Sequence, residues 1–314
     1  MQSKVNPIIA VGLNPAWQKT LVFEKLSFYE VNRAKSVMWT ASGKGINFVR
    51  AVGNWGKADS VVYQFAGGDN GSKIVKYLDC EGLKHHSSKV EAETRICTTC
   101  LCLESGKMTE LIEPSGTINP SESEALLQKL KKDLPASSGL ALCGTYPPGI
   151  TEDFYKEAVR GAAKLGLPVL MDAWMKGSSV IETGSVEILK INMEELFALT
   201  GRNDVQSAFG ECFKKPLKAV AVTAGPGNAY LGMGGEIWEY GIPKLEKIVN
   251  PIGAGDTTSA VFFSEYVSGT EVQEAFACGL AAASASCLSS RGGEFSREKA
   301  LEIRNKMLIR RHLP

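Results

Sequence analysis

Apolar and polar positions along this chain change period in a regular way. From about residue 139, short apolar runs alternate with amphipathic stretches: GLALCG reads as a strand, TEDFYKEAVRGAAKLG as a helix and PVLMDA as a strand. EILKIN follows as a strand feeding the helix MEELFALTG, then comes a helical stretch at DVQSAFGECFKK and the strand KAVAVTAG. Short apolar runs suit strands buried on both faces, and helix-period segments between them are the crossovers of a parallel sheet. IIAVGLN, the helix after GKG, and SVVYQFA carry the alternation toward the N-terminus. The pattern predicts an α/β fold, a mostly parallel sheet flanked by helices on both faces.

Two regions break the alternation. Residues 20–40 and 93–113 (ETRICTTCLCLESGKMTELIE) are strand-rich with no helices between. They predict a small antiparallel sheet inserted as a lid, within one α/β domain spanning residues 1–314. After residue 250 the pattern turns almost wholly helical, through TTSAVFFSEYVSG, EVQEAFACGLAAASASCL and REKALEIRNKMLIRRHL. The small residues from Ala275 to Ser286 predict close helix packing in preference to a seat for a flat ligand. Arg310 and Arg311 read as a solvated pair.

Composition narrows the function classes. A formal charge of +1 over 314 residues gives no electrostatic case for a nucleic-acid or membrane partner. The 44% hydrophobic and 22% charged content is that of a globular protein. The apolar run at the N-terminus is broken at Asn14-Pro15 and no stretch approaches a membrane span, so the cytoplasm is the expected compartment. The chain has eight cysteines, mostly among apolar neighbours, which suits small buried hydrophobes. Cys97, Cys100 and Cys102 fall in a segment that alternates like a strand, so Cys97 and Cys100 should face opposite ways. No second cysteine pair completes a zinc set, and the segment reads as structural.

VNPIGAGDTTSA, residues 249–260, carries the candidate chemistry. Glycines before a helix let several N–H groups converge beside the positive end of the helix dipole, an arrangement that binds anions. From spacing alone the choice is even between such a cradle and a plain glycine-rich helix start. The stretch is not a dinucleotide fingerprint, which needs a glycine where Thr258 stands. It is not a Walker A loop either, and Gly43-Lys44, Gly56-Lys57 and Gly106-Lys107 do not supply one. An aspartate beside an anion cradle repels a bound phosphate. It makes sense where the cradle stabilises transferring charge and the carboxylate takes a proton from an attacking hydroxyl. The helix dipole favours ionised Asp256 at neutral pH.

These motifs, taken in order along the chain, resemble those of the ribokinase-like carbohydrate kinases, the PfkB family, in the branch of 1-phosphofructokinase and tagatose-6-phosphate kinase. The resemblance implies a ribokinase-like fold, ATP and Mg2+ as cofactors, Asp256 as catalytic base, and an anion hole from Gly253, Ala254, Gly255 and Asp256. SGKGIN at 42–47 resembles the family's first signature, with Ser42 in place of a glycine, and implies that Gly43, Lys44 and Asn47 hold the sugar. Arg33 in EVNRA and Arg95 in ETRIC match arginines that join the lysine on a sugar phosphate. CGTYPPG at 143–149 matches a segment near the substrate. KINMEEL at 190–196 implies Lys190 on the nucleotide phosphates, with Asn192 and Glu195 organising Mg2+ through water. Asn192 and Glu195 equally fit a capping box. VTAGPGNA at 222–229 resembles the nucleotide loop, placing Thr223, Gly225 and Gly227 at ATP.

Two departures stand out. In NPAWQ, Gln18 occupies the place of a sugar-binding aspartate, and an amide both donates and accepts where a carboxylate only accepts. Ser286 replaces an asparagine often found near the nucleotide. The expected function is an ATP-dependent kinase acting on a primary hydroxyl of a ketohexose phosphate. A kinase of an unphosphorylated sugar or nucleoside, and a non-catalytic sugar-phosphate sensor on the same scaffold, are the alternatives. The exposed side of a small lid sheet also needs covering, which suggests a homodimer through the lid.

Overall fold

The structure, a computed structural model, describes residues 6–172, 178–246 and 248–312. β1 (Ile8–Val11) is followed by a hairpin of β2 (Ala16–Phe23) and β3 (Ser36–Ser42). Then come α1 (Lys44–Trp55), β4 (Ser60–Gly67), α2 (Gly68–Glu81) and β5 (His85–Val90). A second hairpin, β6 (Ile96–Cys102) and β7 (Lys107–Ile112), precedes α3 (Pro120–Asp133) and β8 (Gly139–Cys143). α4 (Glu152–Lys164), β9 (Val169–Asp172), α5 (Ser178–Ile181), β10 (Ile188–Asn192) and α6 (Met193–Thr200) continue the alternation. α7 (Val205–Cys212) and β11 (Ala219–Thr223) lead to the hairpin β12 (Ala229–Met233) and β13 (Glu236–Gly241). Three helices follow, α8 (Ala254–Val267), α9 (Val272–Ser286) and α10 (Arg297–Asn305), and then β14 (Leu308–Arg311).

The main sheet has ten strands in the order β14-β13-β12-β11-β10-β9-β8-β1-β4-β5. From β5 across to β11 every neighbouring pair is parallel, and β12, β13 and β14 add antiparallel strands at one edge. β1 shows why the apolar runs are unbroken. Ile8 and Ala10 pack into one core, Ile9 and Val11 into the other, because successive side chains of a strand point to opposite faces. Phe48 and Val52 of α1, Phe262 of α8 and Phe276 of α9 fill the first core. Leu126 and Leu130 of α3, Phe154 of α4 and Phe209 of α7 fill the second. The expected α/β sandwich is thus the fold, and the small residues of α9 do pack closely. A Cβ added at Gly279 would lie 2.6 Å from the Thr258 carbonyl oxygen of α8.

Two expectations need correction. The lid is a four-stranded sheet, β3-β2-β6-β7, but its central pair, β2 and β6, is parallel. Each inserted segment makes its own antiparallel hairpin, and the hairpins join along strands that run the same way. The chain after α10 is not helical: Leu308–Arg311 pairs antiparallel with β13. There Arg310 pairs with Glu239 at 2.8 Å and Arg311 with Glu236 at 2.6 Å. No helix among the described residues is long and apolar enough to cross a membrane. All eight cysteines are free thiols; Cys100 is buried, while Cys97 and Cys102 of the same strand are half-buried.

Candidate active site

Polar groups gather at the carboxyl ends of the parallel strands, where open α/β sheets bind ligands. β9 ends on Asp172, only 3% exposed. Its alternation puts it on the face of Leu170, toward α1 and α8. Lys44, the first residue of α1, donates to Asp172 Oδ1 at 2.9 Å, and Lys190 of β10 donates to Oδ2 at 3.3 Å. The Ser259 hydroxyl of α8 also donates to Oδ2, at 2.7 Å. Burial alone would push the Asp172 carboxyl up, but the Lys190 and Lys44 ammonium groups overcome it and hold the group well below the usual carboxylate range. In return the charge of Asp172 pushes Lys44 up, so both lysines frame one anion.

The first turn of α8 lies beside this trio. Gly253 caps it at φ 78°, with Gly292 Cα 3.0 Å from where a Cβ would stand. An α-helix leaves its first N–H groups without intrahelical partners, and no side chain caps them here. The Ala254 N–H turns back to the Pro251 carbonyl at 3.3 Å, so it is the least free of the four expected donors. Lys190 Nζ lies under the turn, 3.0 Å from a Cβ position at Gly255. Asp256 is 9% exposed and accepts a hydrogen bond from Asn47 Nδ2 at 2.8 Å. The expected ionising effect of the helix dipole meets an opposing one: burial pushes the Asp256 carboxyl up, with Lys44 the main charge holding it down.

Two cavities meet across this turn. One of about 440 Å³ opens between the strand ends and the lid, with Gly253 and Asp256 on its floor. Gln18, Gly43, Lys44, Asn47 and Arg95 line it as expected, and so do Cys143, Gly144 and Thr145 of the CGTYPPG segment. Arg33 does not join them. It is exposed on the turn between β2 and β3, outside this lining, so Lys44 and Arg95 are the cations of the expected trio that the cavity brings together. The second cavity, about 350 Å³, is lined by Ala254 and Gly255, by Thr223 and Gly225, and by apolar groups such as Ile242 and Leu280.

Two expected residues sit differently. Gly227 closes a turn through its N–H to the Ala224 carbonyl at 3.0 Å and is not part of the lining. Ser286 faces away, its hydroxyl donating to the Ala283 carbonyl at 2.8 Å. The α9 face on the cavity is Leu280, Ala283, Ser284 and Cys287, which is helical spacing with Ser286 out of phase. Asn192 and Glu195 form the full capping box, each side chain 2.8 Å from the other's backbone N–H. Glu195 still acts on Lys44 through its charge. No group of three or more His, Cys, Asp or Glu among the described residues is placed to hold a metal ion.

Sequence reasoning passed over Asp172, Ser259 and the lid residue Glu110, which lines the larger cavity. The signal for Asp172 was a single carboxylate closing an apolar strand, where a parallel sheet presents its ligand site.

A family model described as pfkB family carbohydrate kinase matches residues 15–299. The chain belongs to this family and is a carbohydrate kinase, a phosphotransferase with an alcohol acceptor. It is 28% identical over 261 residues to a tagatose-6-phosphate kinase of Staphylococcus epidermidis, a match covering 81% of this chain and 83% of that protein. The structure of phosphofructokinase-2 from Escherichia coli in complex with substrates and products aligns at TM-score 0.87 and 22% identity, over 96% of this chain and 99% of that one. A possible 1-phosphofructokinase from Thermotoga maritima aligns at TM-score 0.83 and 20% identity, over 98% and 99%. Those structural likenesses are of fold, which is ribokinase-like with its lid sheet.

Proposed function

We propose that this pfkB family kinase transfers the γ-phosphoryl group of ATP to a primary hydroxyl of a ketohexose phosphate of the tagatose 6-phosphate or fructose phosphate kind. The observation that carries this is the position of Asp256 at the junction of two cavities. Its carboxylate lines the larger one, while Gly255 beside it lines the other. The larger cavity suits the acceptor. Lys44 and Arg95 offer cations for a sugar phosphate. The second cavity fits ATP, with apolar walls for a base and the α8 N-terminus and Lys190 on the phosphate side.

Asp256 accepts the proton of the acceptor hydroxyl as its oxygen forms a bond to the γ-phosphorus. The bond from that phosphorus to the β–γ bridging oxygen breaks, giving ADP and a sugar bisphosphate. The N–H groups at Gly253, Gly255 and Asp256 receive the charge that develops on the transferring group. A base is most effective when its pKa lies near the working pH, and burial moves Asp256 in that direction. Mg2+ is usually held by one or two carboxylates together with substrate phosphates. Glu195 and Asn192, whose side chains already bond each other's backbone, fit water-mediated contact with it, and the ion would neutralise phosphate charge there.

The relative named tagatose-6-phosphate kinase supports a phosphorylated acceptor. The exposed position of Arg33 leaves that phosphate with two cations, and so keeps an unphosphorylated sugar as the alternative. ADP release with fructose, fructose 1-phosphate, fructose 6-phosphate and tagatose 6-phosphate decides between them. A phosphorylated ketohexose is expected to have the highest kcat/KM, and preference for fructose overturns the assignment. We place the enzyme in the cytoplasm, where free thiols persist. Phe28, Tyr29 and Val31 are exposed on the β2–β3 turn and Leu111 on β7, and such apolar groups support a homodimer through the lid.

A further inference from the structure

Asn47 touches Asp256 through an amide, and an amide can present either its oxygen or its NH2 to a neighbour. Beside an ionised carboxylate only the NH2 is attractive. Arg50, one turn further along α1 and 6% exposed, donates from Nη1 to Asn47 Oδ1 at 3.2 Å. A guanidinium has donors only, so the Asn47 atom facing Arg50 is oxygen and the atom facing Asp256 is nitrogen. Arg50 is held in turn. Its Nη1 also donates to the Gly292 carbonyl at 3.0 Å, and its Nη2 to the Ala41 carbonyl at 3.1 Å and to Glu81 at 2.7 Å. Arg291 donates to the other oxygen of Glu81 at 2.9 Å. Gly292 is the residue packed against Gly253 at the start of α8. One buried guanidinium therefore reaches the Asn47 amide, the loop behind Gly253 and the end of lid strand β3.

We propose that Arg50 is a positioning residue for phosphoryl transfer: it fixes the Asn47 amide so that its NH2 meets Asp256, and it seats the Gly292 loop behind Gly253. The inference rests on Asp256 acting as the base. The charged groups facing Asp256 are Lys44 from α1, Asp172 from β9 and Lys190 from β10, and a change at Arg50 removes none of them. Without Arg50 the Asn47 oxygen is free to turn toward Asp256, which favours a protonated carboxyl. The acid limb of the pH profile then moves up and kcat falls, while acceptor KM stays nearly constant.

Arg50→Lys keeps a cation for Glu81 but cannot offer a planar fork to Asn47 and Gly292 together. In an ADP-release assay with the best sugar phosphate of the panel, its kcat is expected to fall about tenfold, less than the ~10²–10⁴-fold that a positioned acid–base group itself contributes. Acceptor KM should change less than kcat, and the acid limb of kcat/KM should shift to higher pH. Asn47→Ala should shift the limb the same way, and adding Arg50→Lys to it should shift the limb no further. A wild-type limb in Arg50→Lys, or an additive shift in the double variant, overturns the proposal. Should Arg50→Lys melt below assay temperature, Asn47→Ala decides alone, since an unmoved limb there leaves Arg50 nothing to act through. Asp256→Asn in the same assay separates the two failures: retained turnover sinks the base assignment, whereas an inactive Asp256→Asn with an unmoved Arg50→Lys limb sinks only the role of Arg50.

Discussion

At the floor of the larger cavity, Asp256 lines the space and Asp172 lies behind it under Lys44, both buried among named partners: two lysines and a serine hydroxyl on Asp172, the Asn47 amide on Asp256. The lid wall opposite is built mostly from exposed or half-buried groups, although Gln18 is buried. Glu110 and Ile112 are exposed and Cys97 is half-buried. Among the described residues the guanidinium of Arg95 has one bond, to the Asn14 carbonyl at 3.1 Å, and its buried Nε has none. A fixed, water-poor set of charges stabilises a developing charge at little reorganisation cost. A wall with spare donors and acceptors can instead be completed by what binds. Under the proposed function, this difference gives the floor the chemistry and the wall the choice of acceptor.

The sharpest break would come at Asp256. Asp256→Asn keeps the shape and the bond from Asn47 but cannot take a proton, so kcat should fall ~10²–10⁴-fold with ATP affinity retained. Near-normal turnover would remove the floor from the chemistry. The same variant should melt higher than wild type at neutral pH. Burial raises the Asp256 carboxyl, so its contribution to stability is full in acid and is lost as pH rises through its folded pKa. The gain in Tm should therefore shrink as pH falls toward the ordinary carboxylate range.

Asp172→Asn should act in the opposite sense. Its carboxyl is held low, so its stabilisation is present above the ordinary carboxylate range and is lost as pH falls below it. Removing that charge strands Lys190, whose side chain is 6% exposed. Breaking a buried pair costs about 3–5 kcal/mol, and Tm falls by roughly 2–4 °C per kcal/mol in chains of about 150–250 residues and by less in a longer one. Thermal melts of the two variants at neutral pH should move apart. A shift of both in the same direction would mean the two carboxylates share one environment.

This floor was only half legible in the sequence. The 249–260 stretch was an even choice from its spacing, and it was the order of motifs along the chain that made it and SGKGIN legible; both reach the cavity. Asp172 could not be read, since its partner Lys44 lies 128 residues away and no local pattern links them. Arg50 and Arg33 look alike as lone arginines, yet one is buried on a helix and the other exposed on a turn. Side-chain period gave the lid its strands but not their direction, because parallel and antiparallel pairing leave the same alternation. Ser286 was misplaced by one helical phase, which only the packing of α9 against α8 sets.

The smallest effect belongs to the wall, at Gln18. Its Nε2 donates to Thr99 Oγ1 at 2.9 Å within the lid, which turns the amide NH2 toward β6 and leaves the carbonyl oxygen as the group for an acceptor hydroxyl. Gln18→Asp keeps an acceptor but shortens the side chain, removes the bond to Thr99 and adds a negative charge to a cavity that already holds Glu110. A single hydrogen bond of this kind is worth about 0.5–1.5 kcal/mol, so KM for a sugar phosphate should rise roughly 2- to 10-fold while kcat moves less. KM for the free sugar should rise less than that for its phosphate, because the added charge repels only the latter. Steady-state kinetics on both acceptors measure this. A hundredfold loss in kcat would place the lid wall inside the catalytic machinery and erase the distinction between wall and floor.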